Sequence, residues 1–215
     1  MSYSQNDEEQ ILDALFQHYK TGTILDIGAY TGKELSNSLG LIERGWGAVL
    51  VEPSPDAFRQ LMKLHGRRPN VHLVNALIMP KAFSGKLTRF AVTDDAVSTA
   101  DKEWEKIWSP AASTPYQPIY SPQISMLNLE NLVFELGLKF DCLTLDTEGV
   151  TLQLAEEFLQ TPTLSDPVKV ACIEHSGAGR CDLPALDNLF TAWDKVDVNA
   201  ENVIYVRRAG TEPKA

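Results

Sequence analysis

The chain has 215 residues, of which 44% are hydrophobic, and a formal net charge of −10 at neutral pH. This length and composition predict one globular domain with a substantial core. The negative charge and the isolation of the two basic pairs, Arg67-Arg68 and Arg207-Arg208, argue against a broad nucleic-acid-binding face. Apolar runs are too short to span a membrane, and the acidic, polar first ten residues are unlike a signal peptide.

The three cysteines, Cys142, Cys172 and Cys181, lack the spacing of a zinc site. Cys142 and Cys172 lie in apolar runs that predict buried strands, so we interpret them as small core residues. A reducing, cytoplasmic setting is therefore the default expectation.

Predicted strands and helices alternate along the chain. A helix is predicted from Glu8 to Tyr19, inside an N-terminal segment of residues 1–21, because its apolar residues recur at helical spacing. The predicted strands are Thr23–Ile27, Ala48–Val51, Val71–Ile78, Leu87–Val92, Phe140–Leu145, Val168–Ile173, Lys195–Val198 and Val203–Arg207. The other predicted helices are Gly32–Arg44, Pro55–His65, Asp101–Trp108, Leu127–Leu136, Leu152–Leu159 and Leu183–Trp193. The alternation predicts an α/β fold: a doubly wound, mostly parallel, Rossmann-like seven-stranded sheet with helices on both faces and an antiparallel C-terminal strand.

The turn after the first strand carries the most informative pattern, Asp26-x-Gly28-x-x-x-Gly32, with Glu52 at the end of the second strand. Glycine lets the backbone approach a ligand closely, and the helix predicted to follow would direct its free N–H groups at that ligand. An acid about 20 residues later can bind both ribose hydroxyls. The pattern predicts a nucleoside-containing cofactor. The alternative is that Asp26 only caps the turn and Glu52 is a solvated strand end.

The glycine spacing also indicates which cofactor is bound. Dinucleotide-binding turns carry G-x-G-x-x-G, whereas here Ala29 and Tyr30 stand where a second close glycine would be. Asp26 would repel a pyrophosphate but suits the sulfonium and ammonium charges of S-adenosylmethionine. Asn75 could recognise the adenine edge, or it could be a simple turn residue. The residues expected to bind the cofactor are Asp26, Gly28, Ala29, Tyr30, Gly32, Glu52, Pro53, Asn75, Ala76 and Asp146.

Polar residues also end two later predicted strands: Asp146 and Glu148 follow one, and Glu174 and His175 follow the next. Because the carboxyl ends of parallel strands meet at one edge of a sheet, these four residues are catalytic candidates. His175 has an intrinsic pKa near neutrality but could be structural, whereas Asp146 and Glu148 need burial to become useful bases. Such a cluster could also hold a divalent cation. No metal is predicted, because the chain shows no helical or closely spaced ligand pair.

The chain resembles the FkbM-type family of S-adenosylmethionine-dependent methyltransferases in six segments that occur in order: ILDIGAYTG, LVEPSPDAF, VHLVNALI, FDCLTLDTEG, KVACIEHS and NVIYVRR. The match runs from about Thr23 to Arg208, although Tyr30 stands where the family pattern would have Asn. The resemblance implies the Rossmann-like methyltransferase fold, with S-adenosylmethionine as methyl donor and S-adenosylhomocysteine as product. It also implies O-methylation of sugars or natural products, whereas the residues themselves do not choose oxygen over nitrogen.

Residues 94–123 match nothing in that pattern and are predicted to form a lid over the acceptor. Four prolines (Pro110, Pro115, Pro118 and Pro122) are expected to exclude regular structure here. Trp108, Tyr116 and Tyr120 are the candidates for binding the acceptor, since aromatic rings stack on sugars. The alternative is that the tryptophans only anchor the segment.

Three functions from different classes are consistent with the sequence. The first is a methyltransferase that acts on a small-molecule acceptor, with neither nucleic acid nor membrane as partner. The second is an NAD(P)-type oxidoreductase of similar topology, which the glycine spacing and the charge of Asp26 oppose. The third is a catalytically inactive nucleoside-binding or regulatory module, which the clustered carboxylates oppose.

Overall fold

Strands and helices alternate along the chain in the computed structural model, which describes residues 3–83, 89–93, 96–120, 123–177 and 180–210. The strands are β1 (Thr23–Ile27), β2 (Gly47–Val51), β3 (Val71–Val74), β4 (Leu77–Ile78), β5 (Arg89–Val92), β6 (Gln117–Tyr120), β7 (Gln123–Ile124), β8 (Cys142–Leu145), β9 (Val170–Glu174), β10 (Ser176–Gly177), β11 (Arg180–Cys181), β12 (Trp193–Val198) and β13 (Asn202–Arg207). The α-helices are α1 (Glu8–Leu15), α2 (Leu39–Glu43), α3 (Pro55–His65), α4 (Lys102–Trp108), α5 (Met126–Glu135), α6 (Thr151–Leu159), α7 (Pro162–Ser165) and α8 (Leu183–Leu189), and a 3₁₀ turn covers Lys81–Phe83.

Seven strands form one sheet in the order β12-β13-β9-β8-β1-β2-β3. Strands β3, β2, β1, β8 and β9 run parallel, and β13 lies antiparallel between β9 and β12. This arrangement confirms the predicted α/β fold, including its antiparallel C-terminal strand. Ile27 pairs with Val51 on one side and Leu145 on the other, so the next residues of all three strands emerge at the same edge.

The sheet is buried on both faces. Alternate residues of the central strands contribute to two separate cores: Leu25 faces α5, α6 and α8, whereas Ile24 faces α1, α2 and α3. Burial on both faces explains why these strands read as continuous apolar runs. Cys142 and Cys172 are buried, free thiols in the second core, as predicted. None of the helices in the described part of the chain is long and apolar enough to cross a membrane.

The helix predicted for Gly32–Arg44 is wrong at its start, because α2 begins only at Leu39. Tyr30, Gly32 and Leu35 have φ angles of 49°, 71° and 59°, which lie in the left-handed region and interrupt a right-handed helix. The Ser36 hydroxyl also accepts the N–H of Leu39 at 3.1 Å. Residues 28–38 therefore form an irregular segment, here called the cofactor loop, instead of a helix N-terminus.

Other boundaries differ in smaller ways. The first helix ends at Leu15, not Tyr19, and the last ends at Leu189, because Trp193 already belongs to β12. The third predicted strand is split in two at Asn75-Ala76. The predicted α3 is confirmed, since the Ser54 side chain caps it by accepting from Ala57 N–H and Gly66 follows its end.

Part of the 94–123 segment is regular, contrary to the effect expected of its prolines. Helix α4 is capped by Asp101, and β6 pairs antiparallel with β5. Pro118 is tolerated there because the two strands form a separate ribbon in which every strand is an edge. Trp104 is 4% exposed and anchors α4 to the body beside Gly149, as the alternative interpretation held for the tryptophans. Residues 94, 95, 121 and 122 lie outside the described residues.

Candidate functional site

A cavity of about 340 Å³ lies at the carboxyl ends of β1, β2, β8 and β9. This is the edge at which ligands collect in doubly wound sheets. Most of the predicted site residues line it: Asp26, Gly28, Ala29, Tyr30, Glu52, Pro53, Ala76, Trp108, Asp146, Glu148 and Glu174. The cavity thus unites residues from separate segments of the sequence.

Gly28 is the closest point between the cofactor loop and the neighbouring strand. Its φ is 95°, and a Cβ atom at this position would overlap the main-chain carbonyl of Asp146. Gly28 and Ala29 donate their N–H groups to the Val51 carbonyl at 3.0 and 3.1 Å. Only glycine combines this conformation with so close an approach.

Glu52 is held by two backbone amides. Tyr30 N–H donates to Oε2 at 2.9 Å and Ser54 N–H donates to Oε1 at 2.6 Å. The side chain is 5% exposed, and burial raises the pKa of Glu52 to about 7 in spite of these hydrogen bonds. Tyr30 adopts its left-handed conformation at the point where its amide meets the carboxylate. The carboxylate is thus fixed at the tip of β2, facing the cavity, and is not a solvated strand end.

Asp26 lies beneath the cofactor loop and is 6% exposed. The Ser38 hydroxyl donates to its Oδ2 at 2.6 Å, which ties the far end of the loop to β1. Burial raises the pKa of Asp26, and the hydrogen bond from Ser38 opposes that rise. Asp26 therefore both shapes the loop and contributes negative charge to the cavity floor.

Three carboxyl groups meet on the other side of the cavity and are here called the acidic cluster: Asp146, Glu148 and Glu174. One oxygen of each lies within 4.8 Å of the others. Burial raises the pKa of all three, and the charge of Glu174 raises those of Asp146 and Glu148 further. Thr151 Oγ1 donates to Glu174 Oε2 at 2.7 Å, which orients that group. The cluster contains three of the four catalytic candidates from the strand ends, and His175 is not part of it.

One wall of the cavity comes from the two ends of the described chain, and the sequence did not predict it. Gln5, Glu201 and Asn202 line it, and Gln5 Nε2 donates to Glu201 Oε1 at 2.8 Å. Glu8, which is fully buried, fixes this wall by accepting from the side-chain amides of Asn199 and Asn202, both at 2.8 Å. No local motif marks these residues, since their positions depend on β13 pairing with β9.

Apolar and small residues that the sequence did not indicate line the rest of the cavity. Leu77, Ile78 and Phe90 are buried beside Ala76, next to the tip of β2. They make this part of the cavity wall apolar. The cofactor loop adds Leu35, Ser36 and Asn37. The split between β3 and β4 creates this apolar part, and the sequence alone does not signal it.

Four predicted residues whose side chains the structure describes are not among those that line the cavity: Gly32, Asn75, Tyr116 and His175. Gly32 and Asn75 support it from behind: the Gly32 carbonyl meets His65 Nε2 at 3.2 Å, and Asn75 Nδ2 donates to the Glu52 carbonyl at 2.8 Å. Asn75 thus holds the β2 tip and is not placed to read an adenine edge. Tyr116 donates to the Val97 carbonyl at 2.7 Å, which supports a residue of the lining. Tyr120 is in β6, and its side chain lies outside the described part of the structure.

His175 also lies outside the main cavity. It is 7% exposed, and its Nε2 lies 3.1 Å from the Asn199 carbonyl, where a ring N–H donates. Because the main-chain carbonyl holds a proton on Nε2, only Nδ1 could accept another proton, and His175 is not among the residues that line the cavity. The structure therefore favours the structural interpretation of His175.

We expect the kcat of His175→Asn to stay within about threefold of wild type. Loss of a general base would instead lower kcat by about 10²–10⁴-fold. The lost hydrogen bond should lower stability by about 1 kcal/mol, and hence Tm by about 2–4 °C. Steady-state kinetics and thermal unfolding of the variant check both values. A hundredfold fall in kcat with unchanged Tm would instead make His175 the base.

No family model matches the chain, and no curated relative does either. Solved structures do resemble it. One is described as "Putative methyltransferase yhhF from Escherichia coli", at 13% identity over 97% of this chain and 89% of that chain, with a TM-score of 0.51. A hypothetical protein of Thermus thermophilus shares 15% identity over 94% of this chain and 84% of that one, with a TM-score of 0.52.

A third similar structure is described as a "putative caffeoyl-CoA O-methyltransferase from Staphylococcus aureus". It shares 10% identity over 96% of this chain and 86% of that chain, with a TM-score of 0.50. At such low identities the likeness shows the fold alone. That fold is the Rossmann-like methyltransferase fold.

Proposed function

We propose that this protein is an S-adenosylmethionine-dependent methyltransferase of the FkbM type, acting on a hydroxyl oxygen of a sugar or another small natural product. The observation that carries the proposal is Glu52, held by two backbone amides at the tip of β2 and facing the cavity. A carboxylate fixed in this way can accept both ribose hydroxyls of a nucleoside. The apolar residues beside it, Leu77, Ile78 and Phe90, fit the adenine ring.

The charge of the cavity favours S-adenosylmethionine over a dinucleotide. Six carboxyl groups line it, and no Lys, Arg or His does so among the described residues. A pyrophosphate would meet only negative charge, whereas a sulfonium and an ammonium group are attracted to it. The six sequence segments that resemble FkbM-type enzymes support the same choice.

Methyl transfer is an in-line displacement in which a lone pair of the acceptor oxygen attacks the methyl carbon and neutral thioether leaves. The protein contributes mainly by holding the two partners close and collinear, which is worth up to roughly 7–11 kcal/mol in ideal cases. The acceptor hydroxyl also loses its proton. The acidic cluster supplies the candidate bases for that proton, because it lines the cavity and its raised pKa values make those carboxylates stronger bases.

The acceptor should enter beside Trp108, which lines the cavity next to the acidic cluster. We expect Trp108→Ala to raise the acceptor KM about tenfold, because an aromatic contact is worth roughly 1 kcal/mol beyond its burial. The Kd of S-adenosylhomocysteine should stay within threefold. Ile107→Ala is the matched control, since Ile107 is the exposed neighbour on the same helix and is absent from the lining. Equal KM values for the two variants would refute a lid that binds the acceptor.

The proposal also includes a single methyltransferase domain, a small-molecule acceptor in place of nucleic acid or membrane, and a reducing, cytoplasmic setting. The two buried free thiols, Cys142 and Cys172, are compatible with that setting.

Isothermal titration with S-adenosylmethionine, S-adenosylhomocysteine and NAD tests the cofactor. We expect micromolar binding of the first two and none of NAD, and a screen of sugar hydroxyls would follow. Binding of NAD alone would contradict the proposal. No detectable binding of any of the three ligands would favour a degenerate site.

A further inference from the structure

The acidic cluster has the spacing of a metal-ligand set. One carboxylate oxygen of Asp146, Glu148 and Glu174 each lies within 4.8 Å of the other two. Mg²⁺, Mn²⁺ and Ca²⁺ prefer oxygen ligands. Mg²⁺ and Ca²⁺ bind oxygen atoms at about 2.0–2.6 Å, so two oxygen ligands of one ion lie up to roughly 4–5 Å apart. A single ion between the three groups is therefore within reach of all of them.

A second observation points to a ligand at this place. Oε2 of Glu148 is buried and has no hydrogen-bond partner among the described residues. The indole of Trp108 is close to this carboxyl group and opposes the rise of the Glu148 pKa. The indole N–H nevertheless has no partner in hydrogen-bonding geometry among the described residues. A buried carboxylate oxygen without a partner is costly, and a bound cation would remove that cost.

The backbone holds Glu148 in this position. Its φ is 47°, in the left-handed region, and Thr99 Oγ1 donates to its carbonyl at 2.5 Å. Glu148 N–H lies 3.3 Å from Glu174 Oε2, so the loop after β8 is fixed to the end of β9. Strain of this kind persists only when the surroundings enforce it, and here it turns Glu148 towards the other two carboxyl groups.

The charge of the cavity also favours a cation beyond the cofactor. S-Adenosylmethionine carries two positive groups and one carboxylate, hence one net positive charge, against six carboxyl groups in the lining. Asp26 and Glu52 lie on the side of the nucleoside. The acidic cluster is left with no basic side chain among the described lining residues.

We infer that the acidic cluster binds a divalent cation, Mg²⁺, Mn²⁺ or Ca²⁺, through Asp146, Glu148 and Glu174. The role of the ion rests on the proposed methyltransferase function. An ion held by these three groups would act as a Lewis acid: it would lower the pKa of an acceptor hydroxyl in the cavity, whose proton would then pass to water and not to the carboxylates. This reverses the expectation of no metal, because Glu174 joins Asp146 and Glu148 only through the pairing of β8 with β9, which sequence spacing does not show.

The test is a titration of the full chain with Mn²⁺ in the absence of cofactor, in which electron paramagnetic resonance measures binding. We expect saturable binding of one Mn²⁺, competed by Mg²⁺ or Ca²⁺, and at least 30-fold weaker binding in Glu148→Gln. Glu34→Gln is the control, since Glu34 is an exposed acid that does not line the cavity, and the Mn²⁺ affinity of this variant should stay within threefold of wild type.

Titration with S-adenosylhomocysteine separates this inference from the proposed function. Glu148→Gln should bind it within threefold of wild type, which also shows that the variant is folded. Absence of Mn²⁺ binding to the wild type, or equal binding to Glu148→Gln, would overturn the metal site while leaving the cofactor proposal intact. Equally strong competition by methylammonium would also overturn it, because the cluster would then be a site for an organic cation.

Discussion

Gly28→Ala is expected to abolish measurable binding of S-adenosylhomocysteine and to destabilise the protein by about 3 kcal/mol, from roughly 1–2 kcal/mol of left-handed strain and 1–3 kcal/mol of overpacking. The added Cβ would overlap the Asp146 carbonyl, so the cofactor loop and the β8 end must separate. Both elements line the cavity, and their separation moves Glu52 relative to the acidic cluster. Denaturant unfolding and isothermal titration measure the two effects.

Gly45→Ala separates the two causes. Gly45 has a φ of 94°, almost the same as that of Gly28, but a Cβ there would meet no atom within 4 Å. This control carries the conformational strain without the overlap, so it should lose only about 1–2 kcal/mol and keep its affinity. If Gly28→Ala lost no more stability and affinity than Gly45→Ala, close contact at Gly28 would not matter.

The second large effect is the pH dependence that Glu52 imparts. Its pKa is raised from 4.5 to about 7, so the unfolded chain ionises first as pH rises, and the unfolded state then binds fewer protons. Stability of the ligand-free protein should therefore fall between about pH 4.5 and 7, by about 3 kcal/mol from this group. Glu52→Gln removes that contribution and should flatten the profile measured by denaturant unfolding.

Nucleoside binding should show the opposite trend. The ionised carboxylate accepts ribose hydroxyls, so affinity should rise about tenfold per pH unit up to about pH 7 and then level off. 5′-Methylthioadenosine is the suitable probe, because it carries the ribose without a titratable amino group. At pH 8, Glu52→Gln should bind it at least tenfold more weakly, with no pH dependence.

Glu34→Gln serves as control for this titration, since Glu34 is an exposed acid in the same loop. Its affinity and its pH profile should match those of the wild type. An unchanged profile in Glu52→Gln would mean that another group, such as the buried Asp26, controls the titration.

The sequence predicted well what local patterns determine. The strand ends of parallel β1, β2, β8 and β9 placed Gly28, Glu52, Asp146 and Glu174 correctly, because an apolar run followed by a polar residue is a strong signal. The cap of α3 at Ser54 followed from short-range hydrogen bonding in the same way. These features depend on neighbours in the chain.

The sequence was least decisive where distant contacts matter. Asn75 and His175 are at the expected strand ends, and their side chains bind the main-chain carbonyls of Glu52 and Asn199, which favours the structural alternative for both. The helix predicted from Gly32 was replaced by a loop whose left-handed residues no propensity indicates. Glu201 reaches the cavity only because β13 lies antiparallel to β9, a pairing that the sequence indicated without its register.

The hydrogen bond between Gln5 and Glu201 joins residues 196 positions apart. Closing so long a segment costs conformational entropy before any contact repays it, so this part of the cavity should assemble late in folding. The nucleoside side is different, because Gly28, Glu52 and Ile78 are close in sequence and emerge together from the ribosome. A nascent chain therefore carries the residues around Glu52 long before it can form the wall that contains Glu201. Under the proposed function, it would have the elements for cofactor binding before it could enclose an acceptor.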